Sequence, residues 1–142
     1  MSTLINIADA VVTSLNAASF SQEVDAERRY RPTFELAELD ALRVSVVPKS
    51  LAITGATRAA NYFDCAIDVG VQKKIDPDEP AELDTMMNLV EEIADHLRMK
   101  RLSDAPEAAW LSIENEPVFA PEHLDQQRVF TSVLTVRYRV PR

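Results

Sequence analysis

"NYFDCAIDVGVQKK", Asn61 to Lys74, decides the fold, because apolar and polar residues alternate through it. Phe63, Cys65, Ile67, Val69 and Val71 fall on one parity; Tyr62, Asp64, Ala66, Asp68, Gly70 and Gln72 fall on the other. A two-residue period of this length predicts a β-strand with its odd-numbered face on a core. The even-numbered face carries Asp64 and Asp68, which raises the question of what that face is for.

Working outward, "LRVSVVP" before it reads as a short strand closed by Pro48. Between the two lies "KSLAITGATRAA", small, polar and turn-like around Gly55, which predicts a long loop at about 49–60. After the quoted strand, "IDPDEPAELD" marks a helix start, with Asp78 as cap, Pro80 in the first turn and acids at the positive helix end. Leu83, Met86, Met87, Val90, Ile93, Ala94 and Leu97 then form one helical stripe, ending among Arg98, Lys100 and Arg101. Towards the N-terminus, Leu4, Ile7, Ala8, Val11, Leu15 and Ala18 predict an amphipathic helix over residues 3–18. Residues 24–34 are extended, charged and aromatic, and Pro32 demotes them to an edge or irregular strand. A short strand around Trp110 to Ile113 follows the second helix, and the Pro-punctuated stretch 117–121 leads to the last strand, "RVFTSVLTVRYRV". The predicted order is α-β-β-β-α-β-β, an α+β fold with a mostly antiparallel sheet and both helices on one face. The whole of residues 1–142 is expected to be one domain.

In the last strand Phe130, Leu134, Val136, Tyr138 and Val140 share a face, yet Val129 and Val133 occupy the other. A strand apolar on both faces is normally covered on both. Two helices do not easily cover both faces of one sheet, so a neighbouring subunit is the expected cover.

Composition is that of an ordinary globular chain, 46% apolar and 27% charged. The net charge of −8 opposes non-specific attraction to nucleic acid or anionic lipid. One cysteine allows no internal disulfide. "MSTLINIADAVVTSLNAA" lacks a basic leader and is interrupted by Asn6 and Asp9, so neither a signal peptide nor a membrane span is expected, and the setting is a cytoplasm.

Catalytic patterns fail one by one. Asp64 and Asp68 stand four residues apart on one strand face, about 13 Å along the backbone; a glycosidase pair needs carboxyls about 5 to 9.5 Å apart. Two glycines, Gly55 and Gly70, cannot build a phosphate-binding loop or a dinucleotide turn. Asp76, Asp78, Glu82 and Asp84 imitate a calcium loop, but Ala81 stands where glycine is required and Met87 where glutamate is. They read better as helix-capping acids. His96 and His123 have no ligand set around them, and His96 reads as a partner for the helix dipole. Cys65, on the apolar parity, reads as an inert core thiol. Arg28, Arg29 and Arg31, with Arg137 and Arg139, interleave with Tyr30 and Tyr138, but the net charge favours pairing with acids, within the chain or across a subunit boundary. No catalytic residue, cofactor site or metal site is expected.

At "FDCAIDVGVQKK", "LVEEIADHLR" and "FTSVLTVRYR" the sequence resembles the tail-terminator (tail-completion) and neck proteins of long-tailed bacteriophages and prophages, along nearly the whole chain. Those motifs are structural patterns with no catalytic residue to carry over. The resemblance implies an α+β subunit in a ring, usually of six, at the head-proximal end of the tail. Such a ring closes the tail tube, meets the tube protein on one side and the head-side connector or stopper on the other, and lets DNA through its channel without binding it. The expected location is the virion tail or neck, after assembly in the host cytoplasm, with no membrane involved. The candidate subunit or partner interface comprises Arg28, Arg29, Leu51, Ile53, Arg58, Asp64, Asp68, Val129, Val133, Arg137 and Arg139. Alternatives are a head–tail connector bound to the portal complex, a small enzyme with an inter-subunit site, and an acidic module that regulates a host partner.

Overall fold

The computed structural model describes residues 2–30, 36–116 and 118–142. Helix α1 (Thr3–Ala17) begins at Ser2, whose hydroxyl accepts the Ile5 N–H at 3.3 Å, one of the otherwise orphaned first-turn donors. Strand β1 (Ala26–Arg28) is followed by a 3₁₀ helix (Leu36–Asp40). Strands β2 (Arg43–Gly55) and β3 (Asn61–Lys74) form a long antiparallel hairpin. Helix α2 (Pro80–Leu97), β4 (Ala109–Glu114), α3 (Pro121–Gln127) and β5 (Val129–Pro141) complete the chain. No helix among the described residues is long and apolar enough to cross a membrane.

The sheet runs β1-β2-β3-β5-β4, and the fold is α+β. Three of its pairings are antiparallel, but β1 runs parallel to β2, so the sheet is mixed. The edge strand expected before Pro32 is β1; the part of that expectation at residues 31–34 lies outside the described residues, as does Pro117 of the proline-punctuated stretch.

Odd-numbered β3 residues do face the core. Cys65, Ile67, Val69 and Val71 are buried in one cluster with Val44 and Val46 of β2, with Phe130, Leu134, Val136, Tyr138 and Val140 of β5, and with the stripes of α1 and α2. Both helices therefore lie on the same face of the sheet. Fully burying one such large side chain contributes about 1.5–3 kcal/mol, so this cluster dominates the stability of the fold.

Three expectations need correction. Residues 49–55 are strand, not loop: Ser50 to Gly55 pair with Ala66 to Asn61, and the turn shrinks to residues 56–60. A bulge at Lys49, between Pro48 and Ser50, lets the ladder resume after the proline. Before β5 the chain forms an additional short helix, α3, with Pro121 at its start and Arg128 in the left-handed conformation (φ 55°) closing it. The acids ahead of α2 cap differently from expectation. Glu79 is the N-cap without a side-chain bond, Asp76 Oδ1 accepts the Asp78 N–H, and Glu82 Oε2 accepts the Asp76 N–H at 2.6 Å.

The second sheet face is divided. At one end the 3₁₀ helix lies over it: Arg43 Nε donates to the Glu38 carbonyl at 3.0 Å, and Lys74 Nζ sits 3.5 Å from Asp40. Leu39 and Val47 are buried at that end, outside the main cluster, and so is Val129. The chain itself thus covers Val129, where a neighbouring subunit had been expected. The other end of this face stays open, and there the charged residues gather.

Candidate functional site

Register determines which side chains meet on the open end. Asp64 stands opposite Arg139, Ala66 opposite Arg137, Asp68 opposite Thr135, and Gly70 opposite Val133. Directly paired residues of antiparallel strands project on the same side within reach of one another. Arg139 accordingly grips Asp64 with two bonds, Nε to Oδ1 at 2.8 Å and Nη2 to Oδ2 at 3.0 Å. Its guanidinium also stacks over the Tyr62 ring, 4.8 Å from the centroid. Asp68 accepts the Thr135 hydroxyl at 2.7 Å, with Lys49 Nζ 3.7 Å away. Arg137 lies 3.4 Å from Glu114 on the outer strand β4.

The electrostatics follow from these pairings. The Arg139 hydrogen bonds hold the Asp64 carboxyl below the usual carboxylate range, against the opposing effect of burial. Arg139 is raised in turn, first by the bond to Asp64. Asp64 and Asp68 are thus separately engaged carboxylates, not a catalytic dyad.

Of the sequence-derived candidates, the open end gathers Asp64, Asp68, Arg137 and Arg139, while Val133, level with Gly70 and the buried Ser45, lies towards the covered end. Arg28 and Arg29 are elsewhere. Arg28 lies on the helix side of β1, 2.7 Å from Asp9 of α1 and 5.1 Å from the Tyr30 centroid, and Arg29 is 3.9 Å from Glu27. Arg31 lies outside the described residues. Leu51 and Ile53 project on the helix side of the hairpin, 44% and 56% exposed. Arg58 is exposed in the turn. Sequence parity already placed Tyr62 on this face, but it missed Thr135 and Glu114 as members of the cluster, and only the strand register could have supplied those two.

The remaining chemistry-bearing residues are built into the fold. Burial pushes the Cys65 thiol up, which keeps it protonated within the core. His96 is a tether between helices and only secondarily a dipole partner. Its Nε2 lies 3.1 Å from the Ser14 carbonyl and 3.0 Å from the Ser14 hydroxyl, with Phe20 edge-on at 5.6 Å. Burial, aided by Lys100, lowers its pKa, so the neutral ring donates from Nε2 to the carbonyl. His123 Nδ1 sits 2.9 Å from Thr131 Oγ1, which also accepts Gln72 Nε2 at 3.2 Å. Among the described residues no three His, Cys, Asp or Glu side chains come together as metal ligands would.

No protein-family model matches the chain, and no curated protein matches it either. Among solved structures, a chain of the virion of a native gene transfer agent particle shares the fold. The match covers 100% of both chains with a TM-score of 0.66, at 16% sequence identity.

Proposed function

We propose that this chain is a structural protein of a phage-type virion. It forms a ring at the head-proximal end of the tail, terminates the tail tube and joins it to the head-side connector. The carrying observation is the match over the full length of both chains with a component of a gene transfer agent virion. The motifs that resemble tail-terminator and neck proteins are strands β3 and β5 and helix α2, the elements around which the core is organised. A non-enzymatic role agrees with the polar chemistry: Asp64 is neutralised by Arg139, and Asp68 is held by Thr135.

In this reading six copies close the ring, the tube protein meets one rim and the connector the other, and DNA passes through. The net charge of −8 keeps the channel from adhering to DNA. Electron microscopy of particles made without this protein is the test. Overlong tails, or tailless heads beside unattached tails, are the expected result. Normal tails on heads that fail only to retain DNA would replace the terminator with a connector bound to the portal, and fully normal particles would overturn both.

A further inference from the structure

The two sides of the sheet are unlike, and they match each other. Among the described residues, strand β1 pairs only with Val44 to Val46, and the β2 edge from Val47 to Gly55 has no strand partner. On the opposite side β4 is the outermost strand. Pro48 and the bulged Lys49 blunt the first part of the β2 edge, but Ser50 to Gly55 pair regularly with β3 and present an undisturbed backbone outwards.

Register carries the comparison across the sheet. Leu51 pairs with Cys65, Cys65 with Tyr138, and Tyr138 with Trp110. Leu51 and Trp110 therefore lie at one level and on one face, at opposite sides of the molecule. Ser50 is level with Ser112 in the same way, through Ala66 and Arg137. Because β2–β3, β3–β5 and β5–β4 are all antiparallel, β2 and β4 run in opposite directions. A second copy continuing the sheet in the same orientation would thus bring its β4 antiparallel to β2, with Ala109–Glu114 level with Val47–Ala52.

Charge divides the same way. From Asp40 to Asp64 the chain has no intervening acid, only Arg43, Lys49 and Arg58; from Arg101 to Arg128 it has no intervening Lys or Arg, while Asp104, Glu107, Glu114 and Glu116 border β4. Apolar surface completes the match. Leu51 and Ile53 are exposed on the β2 arm, and Met99, Pro106 and Trp110, together with Lys100, Arg101 and Glu107, line a depression of about 500 Å³ beside β4.

We infer that the partner of the free β2 edge is the β4 edge of a second copy of this chain. Val47–Ala52 lies antiparallel along Ala109–Glu114 of the next copy, Leu51 reaches the next copy's Trp110 depression, and Lys49 faces its Glu114. The contact is head-to-tail, so each copy offers one edge and accepts on the other, and rotation between copies closes a ring. The inference deepens the ring reading and rests on it.

Cysteine cross-linking tests it, because the native Cys65 is fully buried and does not compete. The full chain carrying Ser50→Cys and Ser112→Cys, oxidised at high concentration, should give a thiol-reversible ladder beyond dimer on a denaturing gel. Each single variant should stop at dimer, since only a head-to-tail contact uses both positions. Multimers in native mass spectrometry without covalent species beyond dimer would overturn the edge contact while sparing the ring reading. A chain monomeric at every concentration would overturn the edge contact, and the tail-length microscopy decides the ring reading separately. Charge reversal at exposed positions supplies a second variant set: Lys49→Glu or Glu114→Lys alone should weaken self-association roughly threefold to tenfold, and the two together should restore it. Non-additive rescue supports the pairing; additive losses overturn it.

Discussion

Ile67 and Ile53 are the same residue type on neighbouring strands of one hairpin, on the same face, yet their expected costs differ several-fold. Ile67 is fully buried in the central strand, paired with Val136 and Pro48; Ile53 is 56% exposed on the free arm. Ile67→Ala removes buried methyl groups and leaves a cavity, which costs about 2–5 kcal/mol. Ile53→Ala loses little burial and some strand propensity, under about 1 kcal/mol. With a urea m-value of about 2 kcal/mol per molar, the first lowers the midpoint by about 1–2.5 M and the second by under about 0.5 M. Fluorescence of the single tryptophan, Trp110, packed against the core cluster, follows the transition. Equal midpoint shifts in the two variants would refute the assignment of Ile67 to the core and of the 49–55 segment to a free arm.

The electrostatic pairings give further outcomes. Asp64 should titrate below an ordinary aspartate in carboxyl NMR and return towards it in Arg139→Gln; an unchanged midpoint would remove the bidentate bond. Because its folded pKa is lowered, its stabilisation is present above the unfolded value near 4 and is lost as pH falls through the folded one. His96 is also lowered, so the unfolded chain takes up its proton first, and stability should decline as pH falls below about 6.5. His96→Gln should flatten that part of the stability profile; a slope unchanged in the variant would assign it to another group. Duplex DNA should bind negligibly at physiological salt, and submicromolar affinity with a steep salt slope would contradict the channel reading.

What the sequence made legible depended on having one wet and one dry face. Strand β3 alternates because Ile67 and Val69 are packed in the core while Asp64 and Asp68 on the other face are only half-buried, although Ala66, Gly70 and Gln72 on that face are buried too, and α1 and α2 carry stripes for the same reason. The outer half of β2 lacked that contrast. Ser50 to Gly55 are exposed on both faces and held by the ladder to β3, so no buried parity marks them as strand. Helix α3 was hidden because its one buried side chain, Leu124, leaves no repeat to detect. The charged face was half legible: alternation placed Asp64 and Asp68 together, but their partners depend on a register joining residues 75 positions apart, as in Asp64 and Arg139. Arg28 and Arg29 were grouped with that face by charge alone, and the fold sends them to α1 and β1 instead.

The position of β5 between β3 and β4 bears on how the chain reaches its fold during synthesis. The β2–β3 hairpin closes through a five-residue turn, and α1 precedes it, so a local subunit of structure is available early. Strand β3 nevertheless needs Val136, Tyr138 and Val140 along its other side, and Phe63 pairs with Val140 from more than half the chain away. Contacts of such sequence separation form slowly, because loop-closure entropy is lost before they form. While the ribosome adds the intervening residues, at about 5–20 per second, Cys65, Ile67 and Val69 wait for seconds with one strand edge unpaired. Incomplete chains are therefore the most aggregation-prone species this protein passes through, and translation pauses before Val129 would lengthen that exposure.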